Sequence, residues 1–199
     1  MKRDLIHWNY FLALERKMEE ISFFIEFNQA NYKTYSVELL QVLLACGSGI
    51  DVVAKELCRN IGFNTSWTDD NRGWTIGKYQ EGITGVLKRF CSCQAIIPTY
   101  RDILLKPWES WLPDIPPNWW TAYNATKHRR ASEYCEANLE NTLLAFAGLF
   151  ILTAHYYSYP NGNDTYSSNI IPARFIDIKL IGNSELRNPY ANKLKSYYQ

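Results

Sequence analysis

The sequence predicts an all-α protein: a helical bundle of four to five helices with a short C-terminal strand or hairpin. Four segments place apolar residues at helical spacing, and hydrophobic residues make up 47% of the 199-residue chain. That length suits one well-packed domain, and the hydrophobic content argues against disorder. We therefore expect a helical bundle domain at residues 1–157 and a C-terminal tail at residues 158–199.

The first two helices are predicted in the N-terminal third of the chain. Residues 4–27 have the apolar stripe of an amphipathic helix. Residues 37–59 follow Ser36, a favourable N-cap, and are apolar almost all round, so this helix should be central. Gly47 and Gly49 weaken it by roughly 1 kcal/mol each relative to alanine. Close approach of another helix, or a kink, would explain that cost.

Two further helical regions are predicted around a proline-rich stretch. Residues 75–90 return to helical spacing. Residues 91–120 contain five prolines, so we expect an ordered, tryptophan-rich loop there, with a short helix around residues 100–105. Residues 117–157 would form a helix of about 60 Å, too long to be straight in a chain of this size. Ser132 provides an internal start signal, which predicts a break near residues 130–132.

The C-terminal tail is rich in Asn, Ser and Tyr. Within it, residues 174–181 alternate imperfectly between apolar and polar side chains. This pattern predicts a short strand, in a hairpin or across a partner.

Composition narrows the classes of function. A net charge of +1 gives no global reason to expect nucleic acid or membrane, so any electrostatic partnership must be local. Five cysteines without a secretion signal favour a reducing cytosol and a cytoplasmic location. The apolar run at residues 143–157 is too short to span a membrane. We expect neither a metal nor a cofactor, since no His cluster has zinc spacing and no glycine-rich phosphate loop is present.

A short basic stretch before the last long helix has the chemistry best suited to function. It contains Asn124, Lys127, His128, Arg129 and Arg130. His128 suits a general acid or base, because the ordinary pKa of imidazole lies near working pH. Lys127, Arg129 and Arg130 would then hold a phosphodiester, and Asn124 would share a helix face with His128. RNA cleavage of this kind needs no metal, because the 2′-hydroxyl is the nucleophile. The alternative is structural, with Asn124 linking helices and His128 simply hydrogen-bonded.

A second polar set, Ser48, Asp51 and Lys55, interrupts the apolar second helix. One interpretation is an ordinary Asp51–Lys55 pair at i, i+4. The other makes Asp51 the carboxylate that orients His128 or Lys127 from a facing helix. We therefore treat these three residues as supporting members of the candidate functional site.

The order of these signals resembles that of the HEPN superfamily of helical-bundle proteins. The likeness rests on SGIDVVAKELC in the central helix, YNATKHRR in the basic stretch and EYCEANLENTLLAFAGLFIL in the long helix, within residues 35–157. In active members, two His-containing segments meet across a dimer and cut RNA without metal, and many members serve prokaryotic toxin–antitoxin or defence systems. The resemblance implies His128 as catalytic residue and Asn124 as its support. The arginine that the family places near its His is missing upstream of His128.

The sequence thus leads to two expectations of function. The first is a HEPN-like, metal-independent RNase or RNA-binding component of a prokaryotic defence or toxin system. Such a protein would be a homodimer whose partners are RNA and a protein such as an antitoxin. The second is a non-catalytic protein–protein interaction module of the helical-bundle type.

Overall fold

A computed structural model describes residues 5–63, 73–112, 114–159 and 173–179. Within them the protein is mostly helical, as predicted, with one small antiparallel sheet. The helices are α1 (Ile6–Ser22), α2 (Val37–Asn60), α3 (Ile76–Val86), α4 (Asn118–His128), α5 (Arg130–Glu133) and α6 (Leu139–Ser158). The strands are β1 (Gln94–Ile97), β2 (Tyr100–Leu105) and β3 (Asp177–Lys179).

The core forms where α1, α2 and α6 pack together. α1 and α2 are antiparallel: Lys17 lies 2.7 Å from Glu38 at one end, and His7 lies 2.9 Å from Glu56 at the other. α6 is buried along almost its whole length, whereas α2 keeps one exposed side. The ring of Phe11 stacks on the rings of α6 at 5.2 Å, which fixes α1 against the core. The centre of the fold is therefore shared by α2 and α6.

The starts of α2 and α6 show which of the predicted capping residues bond to the helix backbone. Ser36 accepts a hydrogen bond from the backbone N–H of Leu39 at 3.1 Å, so the predicted cap of α2 is confirmed. The predicted start at Ser132 is wrong, because its hydroxyl donates to the carbonyl of Arg129. Instead, Asn138 caps α6 by accepting from the N–H of Asn141. The predicted break does occur, at Arg129 (φ −133°, ψ 43°).

The helix predicted around residues 100–105 is wrong, because these residues form β2 of a hairpin with β1. Pro98 lies in the turn, outside both strands, so the prolines bound the hairpin and do not interrupt it. Ala95 and Ile97 are buried at alternate positions of β1, as a strand packed on a helical core requires. Helical spacing over six residues does not distinguish this pattern from a short helix.

The strand predicted in the tail is present over Asp177–Lys179 and pairs antiparallel with β1; residues 180 and 181 lie outside the described residues. Just before it, the buried carboxylate of Glu15 accepts the backbone N–H groups of Arg174 and Phe175, both at 2.8 Å. Burial raises the pKa of Glu15, although these two bonds act in the opposite direction. α1 thereby holds the described part of the tail to the bundle.

The tryptophan-rich loop packs on the bundle, as predicted. Trp108 and Trp119 are fully buried with their rings 5.1 Å apart, and the indole N–H of Trp119 donates to the carbonyl of Pro107. Gly148 of α6 faces both rings, and because it has no side chain, the two rings can pack closely against this helix. Trp119 and Trp120 are both buried, so neither ring is available to stack on a nucleic-acid base.

All five cysteines are free thiols: Cys46, Cys58 and Cys93 are buried, Cys91 is half-buried and Cys135 is exposed. Burial raises the pKa of Cys58 to about 12, which keeps it protonated. Among the described residues, α2 alone is long and apolar enough to cross a membrane, and half of its most apolar stretch is buried within the protein.

Candidate functional site

The candidate site lies at the C-terminal end of α4. One side of this helix is buried, through Trp119, Trp120, Ala122, Tyr123, Ala125 and Thr126. The four residues that follow, Lys127, His128, Arg129 and Arg130, are all exposed, and we call them the basic segment. Positive charge is favoured at a helix C-terminus, where backbone carbonyl groups lack partners. The anchored helix thus presents a compact cationic surface to solvent.

Lys127 is oriented by Tyr123, one turn earlier in α4. Its ammonium donates a hydrogen bond to the phenol oxygen at 3.3 Å and lies 5.3 Å from the ring centroid. The ring itself is buried and packs beside Trp120 at 5.2 Å. Lys127 therefore has an aromatic support on one side and solvent on the other.

Gly47 of α2 makes room for the ring of Tyr123. A β-carbon at Gly47 would lie 2.4 to 2.6 Å from three atoms of that ring. Close approach of a neighbouring helix was one of the two explanations for this glycine, and α2 runs without a break through it. Nearby, the phenol of Tyr10 donates to the carbonyl of Ala45 at 2.9 Å. The seam between α2 and α4 thus sets the position of Lys127.

The remaining ionisable side chains of the basic segment differ in their partners. Arg129 lies 3.7 Å from the carboxylate of Glu133, a long and exposed contact that contributes little energy. Among the described residues, neither Lys127 nor Arg130 forms an ion pair, and no side chain is hydrogen-bonded to His128. His128, the last residue of α4, is exposed. Its ring and the guanidinium of Arg130 are thus accessible to a bound molecule.

The structure does not join Asn124 to His128. The amide of Asn124 donates to the carbonyl of Trp120 in its own helix at 3.1 Å, and the residue is half-buried. Asn124 and His128 share a helix face, but no hydrogen bond joins their side chains. This bond stays inside α4, so it neither supports His128 nor links two helices as the structural alternative expected.

The supporting set on α2 bonds to α3. Asp51 accepts from Lys55 at 2.6 Å and from the phenol of Tyr79 at 2.7 Å. The i, i+4 pair is confirmed, and no bond joins Asp51 to Lys127 or His128 within the described ranges. Burial, followed by the bond to Asp51, raises the pKa of Tyr79, so the phenol remains a donor. Ser48 is exposed on α2, beside Gly47.

Sequence reasoning missed Tyr123 and Tyr79, the two residues that connect these polar groups to the fold. A helix-interior glycine signalled a close neighbour for α2, but nothing in the sequence identified Tyr123 as that neighbour. Tyr79 was not singled out, because its phenol bonds to Asp51, which lies 28 residues away in the sequence.

The described residues contain no group of three or more His, Cys, Asp or Glu side chains placed to hold a metal ion. Comparisons with protein-family models, with curated proteins and with solved structures found no significant match.

Proposed function

We propose that this protein is a HEPN-like, RNA-binding component of a prokaryotic defence or toxin system, and that the basic segment contacts the RNA backbone. The observation that carries this proposal is the exposure of four consecutive residues, Lys127, His128, Arg129 and Arg130, at the C-terminal end of an anchored helix. Phosphate contacts supply most of the affinity of sequence-independent binding to nucleic acid.

The geometry favours binding through few, local contacts. Guanidinium groups bind phosphate in a bidentate manner, and an ammonium binds it as a point charge. Arg130 and Lys127 have these groups available, while Arg129 is shared with Glu133. A net charge of +1 adds no long-range attraction, so the affinity depends on these side chains.

Binding is tested by removing two charges of the basic segment. We expect Lys127→Gln with Arg130→Gln to weaken binding of a labelled single-stranded RNA by about tenfold, measured by fluorescence anisotropy. The slope of log affinity against log salt should fall by about 1.4, since each phosphate contact contributes about 0.7. Both side chains are exposed, so the fold should be retained.

The matched control is Lys78→Gln with Lys106→Gln, which removes the same charge from surfaces on α3 and after β2. This pair should leave the affinity within about twofold, because binding depends on local contacts. Equal losses in the two double variants would show that only net charge matters, and the proposed site would be rejected.

The basic segment would also cleave the RNA that it binds. The 2′-oxygen of RNA attacks the adjacent phosphorus, the bond to the 5′-oxygen breaks, and a cyclic phosphate forms. His128 would accept the 2′-hydroxyl proton or donate one to the leaving oxygen. A second acid or base is also required, and a second copy of the chain in a homodimer would supply another His128.

We expect His128→Ala to lower the rate of RNA cleavage by about 100-fold or more, the usual contribution of a general acid or base. The unfolding midpoint should change little, because the side chain is exposed. The measurement is single-turnover cleavage of labelled RNA with chelator present, with Asn9→Ala, another exposed polar residue, as the control. An unchanged rate in His128→Ala would eliminate the catalytic role of this residue.

A second candidate function is a protein interaction module, and one observation favours it. Phe23 and Phe24, at the end of α1, are 77% and 87% exposed. Adjacent exposed aromatic rings are typical of surfaces that bind another protein. The RNA experiment separates the two candidates, since a module of this kind leaves RNA unbound at physiological salt.

A further inference from the structure

A cleft lies between the chain that follows α1 and the hairpin turn, away from the basic segment. It is lined by Glu26, Phe27, Asn28, Gln29, Thr99, Tyr100 and Ile103. Its volume is about 560 Å³, within the range typical of sites for small ligands. The cleft is therefore large enough to enclose a side chain or a small organic molecule.

Two oxygen acceptors belong to residues that line the cleft, the carboxylate of Glu26 and the side-chain amide oxygen of Asn28. The carboxylate of Glu26 is exposed, and no cationic side chain among those that the structure describes, which exclude the side chains of residues 101 and 102, pairs with it. The side-chain oxygen of Asn28 is buried and has no hydrogen-bond partner among the described residues. Buried oxygens of this kind are normally satisfied by a donor. A ligand that brings positive charge fits the exposed carboxylate, and its N–H group would satisfy the Asn28 oxygen once that side chain turns toward the cleft.

Tyr100 adds an aromatic surface to these acceptors. Its half-buried ring is held by Phe27, with the centroids 5.2 Å apart and the planes tilted by 34°. Phe27 is itself buried and contacts Phe175 at 6.0 Å, so the support is rigid. An aromatic face beside a carboxylate is the usual environment of a bound ammonium or guanidinium group.

The strand beside the cleft offers a second means of binding. Among the strands that the structure describes the order is β2-β1-β3, so β2 is an outer strand there, with β1 on one side only. Tyr100 and Ile103 of β2 both line the cleft. An extended peptide can add to such an edge through backbone hydrogen bonds and place one side chain in the adjoining cleft.

We propose that this cleft binds an organic cation, a guanidinium or ammonium group, through Glu26, the ring of Tyr100 and the oxygen of Asn28. The cation comes either from a free small molecule or from a basic side chain of an extended peptide. This site shares no residue with the basic segment, so it is independent of RNA binding.

The test compares charged and neutral probes by NMR, following the ring signals of Tyr100 and Phe27. The probes are agmatine, an acetylated and amidated tripeptide with arginine between two alanines, and the same tripeptide with neutral citrulline. We expect agmatine and the arginine tripeptide to give saturable shifts and the citrulline tripeptide to bind at least about fivefold more weakly. Glu26→Gln should weaken the charged probes by about fivefold, whereas Glu19→Gln, an exposed acid outside the cleft, should not.

Tighter binding of agmatine assigns the site to a free cation, and tighter binding of the arginine tripeptide assigns it to a peptide at the edge of β2. Either result supports the proposal. Equal binding of arginine and citrulline tripeptides overturns it. So does an equal effect of Glu26→Gln and Glu19→Gln, or binding without shifts at Tyr100 and Phe27.

Discussion

Replacing Gly47 with alanine is expected to lower the free energy of unfolding by about 2 kcal/mol, although alanine is the better helix former. The new β-carbon would lie 2.4 Å from the ring of Tyr123, a distance at which one group must move. The ring is buried and packs beside Trp120, so it has little space to yield. Urea denaturation measures the loss directly.

Gly85→Ala is the matched control for this substitution. Gly85 also lies in a helix, α3, but a β-carbon there would meet nothing within 4 Å. We expect this variant to gain up to about 1 kcal/mol from helix propensity alone. If both alanine variants gained stability, α2 and α4 would not approach as closely as the structure indicates.

Acidification is expected to remove about 3 kcal/mol of stability through one buried residue, His155. The Nδ1–H of this ring donates to the carbonyl of Ile151 at 2.7 Å, and its Nε2 lies 3.9 Å from the sulfur of Cys93. Burial lowers the pKa of His155 from 6.5 to about 4, because the charged ring would lose its water. The folded protein therefore keeps the ring neutral at a pH where the unfolded chain protonates it.

The sign of the effect follows from this difference in proton binding. Well above pH 6.5 the ring is neutral in both states, and the full stability is present. As the pH falls from 6.5 to about 4, only the unfolded chain takes up the proton, so the free energy of unfolding falls. Glu15 acts in the opposite direction, because its pKa is raised in the folded protein.

His155→Asn isolates the contribution of the imidazole. The amide can still donate to the carbonyl of Ile151, but it does not titrate. This variant should be less stable at pH 7, because it loses the ring that contacts Phe90 at 4.9 Å. Between pH 7 and pH 4.5, however, it should lose about 2 to 3 kcal/mol less than the wild type in urea denaturation. Parallel losses in the two proteins would show that His155 is not the group responsible.

The sequence predicted the parts of the fold that depend on interactions between residues close together in the chain. Ser36 caps α2 through a bond to a residue three positions away, so its role is visible in the sequence. The break after α4 was likewise predicted from length and local signals. The hairpin of β1 and β2 was missed because of the prolines around it. In a sequence, prolines at the ends of strands look the same as prolines that prevent a regular element. Only the pairing of the two strands across the turn distinguishes these cases.

For the candidate site, the sequence by itself determined which side chains are cationic and that they lie at a helix end, because charge and capping act over one or two turns. Only the tertiary structure decided their surroundings. Tyr123 supports Lys127 because Gly47, 76 positions earlier, leaves space for its ring, and Asp51 bonds to Tyr79 rather than to His128. Such contacts arise when distant helices pack together, and a residue pattern along one chain contains no information on which helices meet.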